Sequence, residues 1–334
     1  MSSTAAPSGT TLMTAIVQDR YGGPEGLRSA EVERPVPADG EVLVRVHAAG
    51  VDRGVWHLMT GKPYLVRAVI GLRAPRNPVP GMDLAGVVEA VGAGVTRFRP
   101  GDAVFGTGRG TFAQYALAKQ DLLAPMPAGI GFEQAAAVPV SATTALKAVR
   151  SAGGLRAGQR VLVLGAAGGV GSFLAKLAVA AGARVTGVCS GTKAELVRSI
   201  GATEVLDYAT TDPTDGSQRY DVIFDTGGMR PLSRLRRALT PRGVLVIVGG
   251  EGGDRWLGMN RPVAAMLLTP FVRQRLRAPI SVPNRADLET LRELLDTGGL
   301  TPALDRTFPL AEAADAVRHL EQGRARGKVV LTVD

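Results

Sequence analysis

The sequence of 334 residues contains one cysteine, Cys189, and only three histidines, His47, His57 and His319. A single cysteine rules out an intramolecular disulfide, and with it the disulfide-held scaffold of small secreted domains. Tetrahedral zinc takes three or four Cys, His or carboxylate ligands, so this composition cannot build a cysteine-rich metal centre. Aromatic residues make up 4% of the chain, and no apolar run approaches the roughly 18 residues that span a bilayer. The longest, residues 263–272 (VAAMLLTPFV), is interrupted by Pro270. The first dozen residues, MSSTAAPSGTTL, lack both a basic start and an apolar core, so residues 1–12 read as a flexible tail. The expectation is a cytoplasmic protein without stable membrane insertion.

What is present is ordinary for a globular enzyme: 45% hydrophobic and 21% charged residues, with 43 glycines and 21 prolines spread along the chain. The net charge is +9. The arginines are dispersed and no nucleic-acid-binding motif accompanies them, so no nucleic-acid partner is expected. The densest groups, Arg234-Arg236-Arg237 and Arg273-Arg275-Arg277, read as solvated faces. The length exceeds one typical core, which makes two domains the natural expectation.

Up to about Pro127 the chain is strand-like, with alternation at residues 42–46 (VLVRV) and 85–92 (AGVVEAVG) and Gly or Pro between. Such spacing predicts a barrel-like β unit. From about Ala135 apolar strands alternate with helices. Strands are predicted at 161–165 (VLVLG), 184–188 (RVTGV), 221–225 (DVIFD) and 244–250 (VLVIVGG), with helices at 173–181, 193–200 and 231–239. Continuous apolar strands interleaved with helices are the pattern of a doubly wound parallel sheet. After residue 282 come a helix (286–296), a strand near Phe308, a helix (310–322) and a last strand (328–333). This tail is too small for its own core and is expected to complete the first unit. Residues 261–276 break the rhythm and read as a flap or an interface; residues 278–282 read as an edge strand pairing across a two-fold axis.

The strongest local signal is Gly165-Ala166-Ala167-Gly168-Gly169-Val170-Gly171, placed between a buried strand and a helix. Glycines there let the backbone approach a pyrophosphate, which the helix N-terminus attracts. Its spacing, GxxGxxG, departs from GxGxxG. A site for NAD usually ends its second strand in a carboxylate. This strand ends Cys189-Ser190-Gly191-Thr192-Lys193, where Ser190 and Thr192 offer hydroxyls and Lys193 a cation for a 2′-phosphate. That favours NADPH. Cys189 reads as a packed small side chain.

Across residues 13–334 the chain resembles the medium-chain dehydrogenase/reductase superfamily, in its zinc-free quinone oxidoreductase branch. The likeness is carried by AAGVDRGVWHLMTGKPY (48–64), PGMDLAGVVEAVGAGVTRFRPGDAVFG (80–106), AAAVPVSATTAL (135–146), GAAGGVG and GRARGKVVLTV (323–333). It implies an α/β protein: a GroES-like β domain formed by both chain ends (13–137 and 283–334) and an inserted Rossmann domain (138–282), with the cofactor in the cleft and a homodimer as the assembly. Zinc relatives bind their metal through a Cys and a His-Glu pair; here Asp52 and Met82-Asp83 stand there, so no metal is expected. The resemblance also implies Thr143, Val248 and Gly249 beside the nicotinamide, and Lys193 and Tyr208 around the 2′-phosphate. Lys328 is implied near the pyrophosphate. For Tyr208 a strand-end aromatic, and for Lys328 a surface lysine, stand as the plain alternatives. His47 reads as structural, His319 as a helix-surface residue, and Asp83 as a structural residue where a turn enters a strand.

Without a metal to polarise a carbonyl, the substrate must bring its own activation as a conjugated carbonyl or a quinone ring. The expected function is therefore NADPH-dependent hydride transfer to a small-molecule enone or quinone. An enoyl-thioester reductase of a biosynthetic pathway and a non-catalytic NADP-binding protein of this fold are the alternatives. The candidate proton donors are Tyr64, by resemblance, and His57. Asp52 has three readings: substrate hydrogen bond, orientation of Tyr64, or cap of the helix that starts near Arg53.

Overall fold

The computed structural model describes residues 11–249 and 260–334. Most of the expected tail, and Gly250 at the end of the strand predicted over 244–250, lie outside the described residues. Leu12 already opens the first strand. In chain order the first unit holds β1 (Leu12–Val17), β2 (Arg28–Glu33), β3 (Glu41–Val51), helices α1 (Arg53–Thr60) and α2 (Arg67–Ile70), β4 (Asp83–Val91), β5 (Ala103–Thr107), β6 (Tyr115–Lys119), β7 (Leu123–Pro125) and α3 (Phe132–Ala136). There follow α4 (Pro139–Ala152), β8 (Arg160–Leu164), α5 (Gly169–Ala180), β9 (Arg184–Cys189), α6 (Ala194–Ser199), β10 (Glu204–Asp207), β11 (Tyr220–Asp225), α7 (Leu232–Arg237), β12 (Leu239–Ile247), α8 (Asn260–Leu268) and β13 (Arg275–Arg277). The chain closes with α9 (Arg285–Asp296), β14 (Leu304–Pro309), α10 (Ala313–Glu321) and β15 (Lys328–Thr332).

The last strands do return. β15 pairs antiparallel with β3, setting Val330 against Gly50, inside the sheet ordered β14-β15-β3-β4-β5-β7 with β6 also on β3. The intervening chain forms a six-stranded sheet ordered β10-β9-β8-β11-β12-β13, parallel at each of its pairings. Its central strands are buried on both faces, and the two-residue period of a strand divides their side chains between two layers. Val161 and Val163 join the core under α4 and α5, whereas Leu162 and Leu164 join the one under α7 and α8. Strand order reverses between β8 and β11, which opens a crevice at their carboxyl ends where ligands of such sheets bind.

Two expectations are corrected. Residues 261–276 do follow the rhythm: they form α8, a short turn and β13. Pro262 is tolerated in the first helical turn and Pro270 follows the helix end, so neither breaks the element they seemed to interrupt. Residues 278–282 are not the edge strand; the ladder holds Arg275–Arg277 against Val244–Val246, and Pro279 lacks the N–H that would continue it. A third correction concerns His319, which is half-buried with its Nε2 2.6 Å from Asp305 Oδ2. Packing of α10 on β14 draws that ring in.

Asp287, 2% exposed, pins α9 onto α4. It lies 3.3 Å from Lys147 Nζ, pairs with Arg150, and its N–H donates to the capping Asn284. Asp287→Ala takes the shared acceptor from both cations and should cost about 2 kcal/mol. The check is the thermal midpoint, which should fall by several degrees; an unchanged midpoint would show that the contact contributes nothing.

Candidate functional site

The crevice between β8 and β11 is where the glycine-rich turn lies. Gly168 precedes the first turn of α5 and supplies no side-chain cap, so the leading N–H groups of a twelve-residue helix face the turn without a protein acceptor from that position. A Cβ on Gly171 would stand 2.0 Å from the Gly165 carbonyl oxygen, so the helix can start this close under β8 only with glycine there. Val170 occupies the first turn, half-buried. This is the cradle an anionic pyrophosphate fits.

Lys328 reaches the turn from the other sheet. It is 1% exposed, which removes the surface-lysine alternative. Its aliphatic stem passes beside Gly169, 3.1 Å from where a Cβ would sit, and Gly327 N–H donates to the Ala167 carbonyl at 2.8 Å. The ammonium lies 3.1 Å from Ser141 Oγ, 3.5 Å from Asp83 Oδ2 and 3.9 Å from Asp52 Oδ2. Asp83 is fully buried at the start of β4, and its Oδ1 accepts the Val140 N–H at 2.9 Å. Burial pushes the Asp83 carboxyl up to about 8, opposed by Lys328 and reinforced by Asp52. The sequence marks Asp83 as a structural residue where a turn enters a strand; its part in this cluster exists only where β4, α4 and β15 meet.

Asp52 does cap α1: its Oδ1 accepts the Val55 N–H at 3.1 Å. Its Oδ2 is buried without a hydrogen-bond partner, as is Oγ1 of Thr143, which is wholly buried on α4 one turn beyond Val140. An orphaned buried hydroxyl is costly unless a ligand uses it. Across the crevice, Val248 and Gly249 N–H groups both donate to the Asp225 carbonyl, at 2.9 and 3.1 Å. A Cβ on Gly249 would meet the Thr226 carbonyl oxygen at 2.2 Å, so this wall too is set by a bare backbone. Lys328 thus packs on the glycine turn, while Val248 and Gly249 form a wall of bare backbone held to Asp225.

At the far end, Ser190 Oγ lies 3.2 Å from Thr192 Oγ1, and Tyr208 is 58% exposed with its N–H on the Cys189 carbonyl. Lys193 opens the approach to α6, and its Nζ donates to the Gly323 and Ala325 carbonyls at 2.6 and 2.7 Å. Burial lowers the Lys193 pKa. The absence of a carboxylate here is corrected: Asp207, from neighbouring β10, lies 2.6 Å from where a Gly191 Cβ would be. The parallel register pairs Asp207 with Cys189, a juxtaposition across strands that the linear sequence conceals. Cys189 itself is buried, and burial raises its thiol pKa.

Next to Val248 and Gly249 lies a cavity of about 730 Å³. Of the three candidate catalytic residues, His57 lines it; Tyr64 and Asp52 are not among its described lining residues. His57 Nδ1 is 3.0 Å from the Lys62 carbonyl, and the Tyr64 ring carries the Arg67 guanidinium 4.7 Å from its centroid. His47 stacks on Phe132 at 4.5 Å, away from this cavity's lining. Among the described residues no group of three or more His, Cys, Asp or Glu side chains is placed to hold a metal ion.

Comparison with known proteins agrees with this geometry. Residues 38–128 match the family described as "Alcohol dehydrogenase GroES-like domain", and residues 200–331 the one described as "Zinc-binding dehydrogenase". The quinone oxidoreductase of Sus scrofa is 32% identical over 97% of this chain and 99% of its own length. The chloroplast envelope quinone oxidoreductase homolog of Arabidopsis thaliana is 30% identical over 96% and 98%. Among solved structures, the quinone oxidoreductase of Coxiella burnetii superposes with a TM-score of 0.85 at 26% identity, covering 97% of this chain and all of its own. That of Escherichia coli, complexed with NADPH, gives 0.82 at 26% identity, covering 96% and 99%.

The buried cluster makes a prediction whose sign follows from the Asp83 shift. A carboxyl raised in the folded state contributes stability that is complete below the ordinary carboxyl range and is lost as the pH climbs toward about 8. Asn cannot titrate. The melting temperature of Asp83→Asn relative to the unaltered protein should therefore rise between pH 5 and pH 8. Lys328→Met, which strands two carboxyls in the interior, should destabilise by about 3 kcal/mol. A pH-independent difference for Asp83→Asn would sink this assignment.

Proposed function

The chain belongs to the medium-chain dehydrogenase/reductase superfamily, among its quinone oxidoreductase-like members, and is an oxidoreductase; on that premise we propose that it reduces a conjugated carbonyl compound or a quinone with NADPH and without zinc. The observation that carries this reading is the glycine turn at the start of α5, closed by the buried Lys328; the orphaned Thr143 hydroxyl on α4 supports it. Gly165, Gly168, Gly169, Val170 and Gly171 would hold the pyrophosphate, with Lys328 as the nearby cation. Thr143, Val248 and Gly249 would border the nicotinamide. Bound there, NADPH supplies the hydride.

With an enone, a C–H bond forms at the β-carbon, the π electrons move to the carbonyl oxygen as an enolate, and a proton completes the α-carbon. The chain's part is to align the double bond, exclude water and deliver that proton. His57 is favoured over Tyr64 and Asp52 because it alone of the three lines the described cavity wall. Asp52 is committed to capping α1 and to the Lys328 cluster. Asp52 and Met82-Asp83 stand where zinc relatives place a Cys and a His-Glu pair, which supports the metal-free reading; one of the two matching families bears a zinc-binding description. The open edge of β13 is compatible with a homodimer.

The NADPH preference rests on Ser190, Lys193 and Tyr208 around the adenosine end. Asp207 favours a second reading, because a carboxylate beside Gly191 suits the free ribose hydroxyls of NADH. Calorimetric titration with both nucleotides separates them: NADPH should bind at least ten-fold tighter, and Lys193→Ala should erase the difference. Tighter binding of NADH would transfer the assignment to Asp207, and indifference to both nucleotides would end the reading. In steady-state assays over quinones and enones, His57→Phe should lower kcat by about 100-fold. A larger loss in Tyr64→Phe than in His57→Phe would pass the proton to Tyr64.

A further inference from the structure

The cavity beside Val248 and Gly249 has an unusual charge balance. Its wall is largely apolar, with Val263, Met266, Leu276 and Ile280 contributing. Two guanidinium groups, Arg261 and Arg277, and the His57 ring stand among these side chains, and no Asp or Glu is among the described lining residues. The two arginines differ in kind. Arg261 Nη2 donates to Asp225 Oδ2 at 2.6 Å and to the Arg230 carbonyl at 3.0 Å, so its charge is matched inside the protein. Its Nε and Nη1 are buried and lack partners. Arg277 is exposed at the end of β13 and makes no ion pair among the described residues.

Register fixes where Arg277 stands. Its Cα pairs with Val246 on β12, two residues before Val248. Strand spacing and rise put the Arg277 and Val248 backbones about 8 Å apart, within the reach of one extended arginine side chain. A cation beside apolar walls feels a lower dielectric than one on an open surface, so an anion brought to it is held more firmly.

We propose that this cavity takes an amphiphilic substrate, an enone or quinone with an apolar body and a carboxylate, whose charge is met by Arg277. This deepens the reductase reading and rests on it. The carboxylate lies toward the β13 end of the cavity, the reacting double bond over Val248 and Gly249, and the apolar body along α8. Arg261 serves as the rigid polar wall and Arg277 as the specificity-determining residue.

The test compares one enone carrying a terminal carboxylate with its methyl ester of equal chain length. Binding of each is measured by calorimetry to the full chain saturated with NADP+, and kcat/KM by NADPH oxidation. The acid should bind at least ten-fold more tightly than the ester, and added salt should erode that preference. Arg277→Gln should erase it, while Arg277→Lys, which keeps the charge, should retain most of it; matching melting temperatures confirm that both variants fold. Equal or tighter binding of the ester, or a preference that survives Arg277→Gln, would overturn the proposal. Ester and acid oxidising NADPH alike leaves the reductase reading intact while refuting this one. Acid-selective binding with no NADPH oxidation by either compound refutes the reductase reading, and with it the substrate assignment, while leaving Arg277 as the carboxylate's partner.

Discussion

One ammonium group between two buried carboxyls organises this molecule. Lys328 comes from the last strand, Asp83 from the fourth, Asp52 from the turn into α1 and Ser141 from α4, so the cluster joins segments nearly 280 residues apart. A charge taken out of water is tolerated only when it is matched, and the ammonium has Asp52 Oδ2 at 3.9 Å and the Asp83 carboxyl at 3.5 Å. The lysine stem then closes over Gly169, and the adjoining Gly327 bonds to the glycine turn itself. The β sheet that ends the chain is thereby tied to the crevice of the parallel sheet.

That junction accounts for the character of the site. The turn at α5 offers N–H groups and demands glycine for steric reasons. The facing wall at Val248 and Gly249 is backbone held to Asp225, and Asp225 is in turn fixed by Arg261. The side chains that would face a substrate come instead from α8, β13 and α1. The proposed division of labour is a fixed cradle for the dinucleotide and a separate cationic, apolar cavity for the reactant.

Much of this was legible beforehand. The change from alternating strands to strand–helix units marked the passage between the two sheets, and GAAGGVG between a buried strand and a helix marked the crevice. The elements at 261–276 were hidden by two prolines that sit where a helix tolerates them, at its first turn and beyond its end. The edge strand was hidden because three residues, two of them arginine, carry almost no periodic signal. His57 and Tyr64 both lie in one short stretch of chain, and nothing in its spacing says which of them borders a cavity.

The sequence by itself determined the two kinds of sheet, the position of the glycine-rich turn and the lack of cysteine ligands. All three follow from local pattern and composition: periods of two and 3.6, glycine where a side chain would clash, and residue counts. Tertiary structure alone decided that Asp83 faces Lys328, that Asp207 arrives beside Gly191, and that Arg261 and Arg277 share one cavity. Each is a meeting of residues on different strands or helices, and its energy exists only once sheet order and register have been fixed.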